Sequence, residues 1–319
     1  MISFFKPNLN LESLPISLYE WIEKKYADIG ISLSKCIADT LLIVSKRYLI
    51  IKWIKLDDAY VRRDLWFDQF GKIVPYEITT WFIDQIWSSL ALYKALDNSF
   101  IDDAMDKLSK WWWTRYSTLT IPQYKLEYEL MCRFINDSWV SLLDTFMPCA
   151  IDEKVFCYWY PSEEMKDRIN IVPWRIWLNA EDKNFQYKFF KDTFFDENFF
   201  SLPELYTSNE CDFNNLPDWK LVFKKITPKV KWDRMTVFIG TKAQAKKSFK
   251  NSYEEWSFLA QSYVNSPVFE WRKIEFKVIQ IPDWKWDLQT LSSYCLIDDD
   301  PIKWRIINDW YPQWPVVFL

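Results

Sequence analysis

Hydrophobic positions along the chain follow two rhythms, and the change falls near Pro148. Before it, apolar residues recur at steps of three and four, the spacing of one face of an α-helix. Leu18, Trp21, Ile22 and Ile29 form one such stripe, with Pro15 suited to a first turn and Gly30 to the residue after the last. Further helices are predicted over about 34–54, from Asp57 or Asp58 to a stop at Gly71, and over about 79–96. The 79–96 segment is apolar on nearly all sides and is expected to be central. A fifth helix begins at Ser99, with Asp102 placed as in a capping box, and a sixth opens with Thr120, Pro122 and Gln123 and runs to about Phe146.

From Pro148 onward the period shortens. Segments Lys154 to Tyr160, Ile169 to Leu178, Trp219 to Ile226, Arg234 to Ile239 and Trp271 to Ile281 read as strands bounded by Pro, Asn and Asp. One helix, from Thr241 to about Tyr263, interrupts them. The expected fold is α+β: a helical bundle or array over 1–147, then a mixed α+β domain over 148–319.

Composition narrows the chemistry. The 319 residues include no histidine and only three glycines, at 30, 71 and 240. The usual general base and the commonest zinc ligand are therefore missing. Glycines so far apart build no phosphate loop or dinucleotide fingerprint. The aromatic load of 21 Trp, 17 Tyr and 24 Phe is large. Folding a chain of this mass buries roughly 42,000 Å², and these rings at ~200 Å² each need about 12,000 Å² of it, so their number alone implies no ligand. Six cysteines without a C-x-x-C pair point to thiols in a reducing, intracellular compartment. No stretch approaches the ~20 apolar residues of a membrane span, and the N-terminus shows no secretory signal. No cofactor or metal is expected.

Charge supplies the strongest positive feature. Lys220 to Lys250 carries ten basic residues against one acidic, Asp233, in a chain of net charge −4. Lys224, Lys225, Lys229, Lys231, Trp232, Arg234, Thr241, Lys242, Lys246 and Lys247 have the composition of a surface that tracks an anionic backbone and stacks bases. Glu181 to Asp218 is acidic and offers the same segment an internal partner. Asp298-Asp299-Asp300 before Pro301 reads as a helix cap. Glu275-Phe-Lys277 on a predicted strand, with Asp218 upstream, loosely echoes the acid-and-lysine pattern of metal-dependent nucleases, because period two puts Glu275 and Lys277 on one face.

Two aromatic features fit a core least well. Trp111, Trp112 and Trp113 occupy three adjacent helix positions and so spread around its circumference. The end of the chain, including Trp310, Tyr311, Trp314 and Phe318, carries no side-chain charge after Asp309 and must be tied down, in its own core or on another chain. The expected function is a non-catalytic interaction or scaffold subunit that docks on protein partners through these aromatic surfaces. The alternative is a nucleic-acid-binding protein using the basic segment, with metal-dependent nuclease chemistry as its extension.

Overall fold

Three long strands set the architecture: β3 (Val61–Phe67), β14 (Arg272–Pro282), with its Ile, Val and Phe positions, and β15 (Leu288–Asp298). In the computed structural model, described over residues 2–10, 29–54, 56, 59–68, 70–80, 86–111, 116–119, 140–143, 154–157, 171–172, 183–193, 198, 200–207, 215–225, 237–248, 258–264, 268–269, 272–283, 285, 287–298 and 313–319, they lie side by side in a mixed eight-stranded sheet. Its order is β1 (Ile2–Phe5), β2 (Gly30–Leu33), β16 (Gln313–Phe318), β15, β14, β3 and β4 (Ile73–Thr79), with β13 (Val268–Phe269) also paired to β14. Every pairing is antiparallel except β16 with β2. The β3–β4 turn is held by Asp68, whose Oδ1 accepts the N–H groups of Phe70 and Lys72 at 2.8 and 2.9 Å, and Gly71 supplies the positive φ of 79°.

One face of this sheet is apolar. Helix α1 (Lys35–Ile51) lays Leu41, Val44, Tyr48 and Leu49 on Val61, Leu65, Phe67, Phe276 and Val278, and this is the main core. Helices α2 (Ile86–Leu96) and α3 (Asn98–Trp111) pack on β15, where Ser89 Oγ meets Ser292 Oγ at 2.7 Å and the Tyr93 hydroxyl donates to the Val316 carbonyl at 3.0 Å. Along the edge strand β4 runs α4 (Lys183–Asp192). Its Gln186 completes the ladder that β4 leaves open, donating to the Ile78 carbonyl at 2.8 Å and accepting the Ile78 N–H at 3.4 Å.

A second sheet orders β11 (Val237–Gly240), β10 (Leu221–Lys225), β12 (Phe258–Ser262) and β9 (Leu205–Thr207). Leu221, Phe223 and Ala260 on one of its faces pack on Ala245 of α5 (Lys242–Ser248). A third sheet is parallel, in the order β6 (Val140–Leu143), β5 (Tyr116–Leu119), β7 (Lys154–Cys157) and β8 (Ile171–Val172).

The expected helical N-terminal bundle is therefore corrected. The described residues hold five helices, and the chain is built mainly on a mixed sheet that draws strands from both ends of the sequence. The 34–54 helix is found as α1, and α2 and α3 lie within or near their expected spans. Residues 57–71 instead contribute β3. There Val61, Leu65 and Phe67 alternate with Arg62, Asp64 and Trp66, and every position of the strand is buried, so polar residues on the second buried face passed for a helix's solvent side. Gly30 opens β2, and the helix expected ahead of it lies, but for Ile29, outside the described residues. Gly30 pairs with Phe5 inside a strand, and the Phe5 ring lies 2.3 Å from where a Cβ would stand. The long helix from Thr241 ends at Ser248, and the chain returns as β12. Apart from Ile29, the first predicted helix falls outside the described residues; of the sixth only 140–143 is described, and it forms a strand, β6.

Candidate functional site

Alternation along β3 and β14 sorts their side chains onto two faces. Arg62 and Asp64, with Glu275 and Lys277, face away from α1, and register aligns them. Glu77 on β4 stands opposite Asp64, and Asp64 opposite Lys277. Lys277 Nζ donates to Asp64 Oδ2 at 2.7 Å and to Glu275 Oε1 at 2.6 Å. Arg62 donates to the same Asp64 carboxylate from Nε and Nη2, at 3.1 and 3.4 Å. From α4, Lys183 pairs with Glu77. From β10 of the second sheet comes Lys224. Asp64, Glu275, Lys277 and Lys224 are each no more than 5% exposed. The two sheets also touch where the Trp66 and Tyr263 rings meet edge to face, 6.2 Å apart.

The charges tune one another. Burial alone would raise the Asp64 carboxyl, but Arg62 and Lys277 hold it below the usual carboxylate range. Burial acts the same way on Glu77, and Lys183 overcomes it. At Glu275 burial wins over Lys277, and the carboxyl is pushed up. Burial, reinforced by the charge of Lys183, pushes the Lys224 amine down to about 7. One carboxylate is thus fixed as an anion between two cations, while a second carboxyl and an amine have proton affinities moved toward neutrality. Such a combination suits proton transfer. Stability does not call for it, since apolar residues of similar volume in place of a buried ion pair are often neutral or stabilising by about 1–4 kcal/mol.

Where β4, α4, β10 and β12 meet, a cavity of about 10 Å³ is lined by Lys183, Lys224, Gln261, Pro75, Phe190 and Leu259, among others. That volume admits about one water. Among the described residues, no three His, Cys, Asp or Glu side chains converge as a metal site. The Lys277 ammonium occupies the space between Asp64 and Glu275 that a bridging cation would take.

In sequence, no protein-family model and no curated protein matches the chain. In structure, it is similar to the "Putative gamma-glutamylcysteine synthetase" of Methylobacillus flagellatus KT. The two share 9% identity at a TM-score of 0.50, over 88% of this chain and 85% of that one. The likeness establishes the fold.

It also corrects the functional expectation. The chain has the architecture of a protein named as a synthetase, and the non-catalytic scaffold reading is withdrawn with its nucleic-acid alternative. The described part of the basic segment does not form one exposed stripe. Lys224 is buried between the sheets, Lys220 lies over the Tyr263 ring, and Lys242 donates to the Leu216 carbonyl and pairs with Asp218. Thr241 does cap α5, its Oγ1 accepting from the Gln244 N–H at 3.3 Å. Lys225 lies in β10 and Lys246 in α5, while Lys247 is exposed. Lys229, Lys231, Trp232 and Arg234 lie outside the described residues.

The nuclease constellation is not assembled. Glu275 and Lys277 share a face as expected, but Asp218 is exposed on the far side of the second sheet beside Lys242. Of the aromatic candidates, Trp111 ends α3, and Trp314 and Phe318 belong to β16, so the apolar tail is a strand within the chain's own main sheet. Trp112, Trp113, Trp310 and Tyr311 lie outside the described residues. Sequence reading missed Arg62, Asp64, Glu77, Lys183 and the burial of Lys224. The available signal was weak: Arg62 and Asp64 are two positions apart, but Arg63 between them is charged as well, which hides the period of two.

Proposed function

We propose that the chain is an enzyme whose active centre is the charged layer between the two sheets, and that it joins a carboxylate to an amine. The observation carrying this reading is the buried Asp64–Lys277–Glu275 bridge, an arrangement costly to build for stability alone. The likeness to a protein named as a γ-glutamylcysteine synthetase supplies the reaction class. Amide formation needs cations that hold the carboxylate, a phosphoryl donor that activates it, and a base that accepts the proton of the attacking amine. Lys183 and Lys224 provide the first. Glu275, with its raised proton affinity, suits the last, and Lys277 positions it.

The test is to supply glutamate, cysteine and ATP as its magnesium complex, and to follow phosphate release and γ-glutamylcysteine by mass spectrometry. Product and phosphate should appear in equal amounts and be lost in Asp64→Asn. Phosphate release independent of both amino acids, or undiminished in Asp64→Asn, would reject the proposal.

A further inference from the structure

Helix α1 has two apolar faces, and the fold covers one of them. Ile37, Leu41, Val44 and Tyr48 are buried in the main core, while Ile43, Ile50 and Ile51 on the outer side are 57%, 65% and 51% exposed. Trp53, just past the helix end, is 93% exposed. Four of the eight large hydrophobic side chains exposed among the described residues thus fall within eleven positions, from Ile43 to Trp53. Scattered exposed hydrophobics are ordinary, but a cluster of them marks an interaction site.

The backbone at Trp53 is a second sign. The helix closes in a Schellman arrangement, with the Ile54 N–H donating to the Leu49 carbonyl at 2.9 Å and the Trp53 N–H to the Ile50 carbonyl at 3.0 Å. That closure holds Trp53 at φ 57°, a left-handed conformation usually given to glycine or asparagine. A bulky ring there strains the backbone, and in a lone chain the exposed ring returns nothing for it.

Charge identifies the occupant. Lys35, Asp39, Ile43, Arg47 and Ile51, each four residues from the last, form one exposed row along the outer side of α1. At 1.5 Å per residue the row is about 24 Å long. Asp39 and Arg47 stand four residues either side of Ile43, and among the described residues neither has an ion-pair partner. Lys46 beside them is already paired with Asp287. Turned end for end, this row complements itself: Asp39 meets Arg47, Ile43 meets Ile43, and the Lys35 stem covers Ile51. An anionic membrane would be opposed by Asp39 and would make no use of this symmetry.

We infer that the outer face of α1 is a two-fold interface with a second copy of this chain, its axis passing beside Ile43. The two rows lie antiparallel, at the crossing of about −50° that aligns ridges of residues four apart. Trp53 extends the apolar contact beyond the helix end. The interface is independent of the reaction proposed above. A single helix face is a small contact, so the dimer forms in the micromolar range.

The experiment is sedimentation equilibrium of the whole chain over a range of concentrations, with circular dichroism verifying the fold of each variant. The wild type should show a reversible monomer–dimer equilibrium. Ile43→Asp acts in both copies at the axis and should weaken the dimer at least about tenfold. Asp39→Arg and Arg47→Asp each set like charges across the interface, and each alone should dissociate more readily. An equimolar mixture of these two variants should form a heterodimer of wild-type strength, because every charged contact in it then pairs opposite signs. A wild type that stays monomeric well above micromolar concentration, a dimer indifferent to Ile43→Asp, or single variants that do not recover on mixing overturns the inference. So does flotation of the wild type, but not of Ile43→Asp, with vesicles of phosphatidylserine and phosphatidylcholine, which would assign this face to a membrane.

Discussion

Replacing Lys277 by Met tests how the charged layer is held. The ammonium lies 2.7 and 2.6 Å from the Asp64 and Glu275 carboxylates, and all three side chains are buried. Removing one member of a buried ion pair typically costs 3–5 kcal/mol, because the partner is left charged and unsolvated. Two features of this site place the cost at the lower end, about 3 kcal/mol. Asp64 keeps Arg62, and Glu275 can shed its charge by taking a proton, since burial already pushes its carboxyl up. A carboxyl with a raised folded-state pKa contributes stability that is present at low pH and lost as pH rises through that value. The deficit of Lys277→Met should therefore shrink as pH is lowered. In the double variant Glu275→Gln/Lys277→Met the orphaned carboxylate is also gone, and stability should return to within about 1 kcal/mol of the wild type or exceed it. Urea unfolding followed by tryptophan fluorescence and circular dichroism measures all three proteins. A single-variant cost below about 1 kcal/mol, or a double variant as unstable as the single, would refute the argument.

Arg63 points from β3 toward α1, where Nη1 donates to Ser45 Oγ at 3.4 Å and the guanidinium lies 5.5 Å from the Phe190 ring centroid, while Nε and Nη2 are buried without a hydrogen-bond partner. Arg63→Met should raise stability by about 1–4 kcal/mol in the same urea titration, and a loss would contradict this. The Lys224 amine falls from 10.5 in the unfolded chain to about 7 in the fold, so the unfolded state binds more protons between these values. Stability should rise with pH across that window, and Lys224→Met should flatten the slope of melting temperature against pH; an unchanged slope would place the titrating group elsewhere. Deleting 313–319 removes a strand lying between β2 and β15 and should abolish cooperative unfolding by calorimetry, whereas a retained transition would show the tail to be dispensable.

Parts of this fold were legible because one physical signal stood alone. Helix α1 carries a continuous apolar face through Ile37, Leu41, Val44 and Tyr48, with Ile43, Ile50 and Ile51 exposed outside it, and α5 opens with a Thr241–Gln244 capping box. Strand β14 was recognisable from its β-branched alternation, and with it the shared face of Glu275 and Lys277. Strand β3 was not, because a strand buried on both faces loses the polar face that marks period two. The helix predicted from Thr241 overran for a different reason: the capping signal fixes where a helix starts and says nothing of where it stops. The central partner of Lys277 was beyond reach. Asp64 lies 213 positions away, and only the β3–β14 register joins them. Lys224 shows the reverse error, since its basic neighbours suggested a surface that tracks an anionic backbone while the strand turned it inward.

If the charged layer serves ligation as proposed, at no benefit to stability, Glu275→Gln/Lys277→Met separates the two. The decisive measurement is the rate of γ-glutamylcysteine formation from glutamate, cysteine and ATP by this variant beside the wild type, with folding verified on the same samples. The variant should be folded, at least as stable to within about 1 kcal/mol, with a rate lower by roughly 100-fold or more, the scale of losing a general base. A folded variant that forms product at the wild-type rate would contradict the proposal.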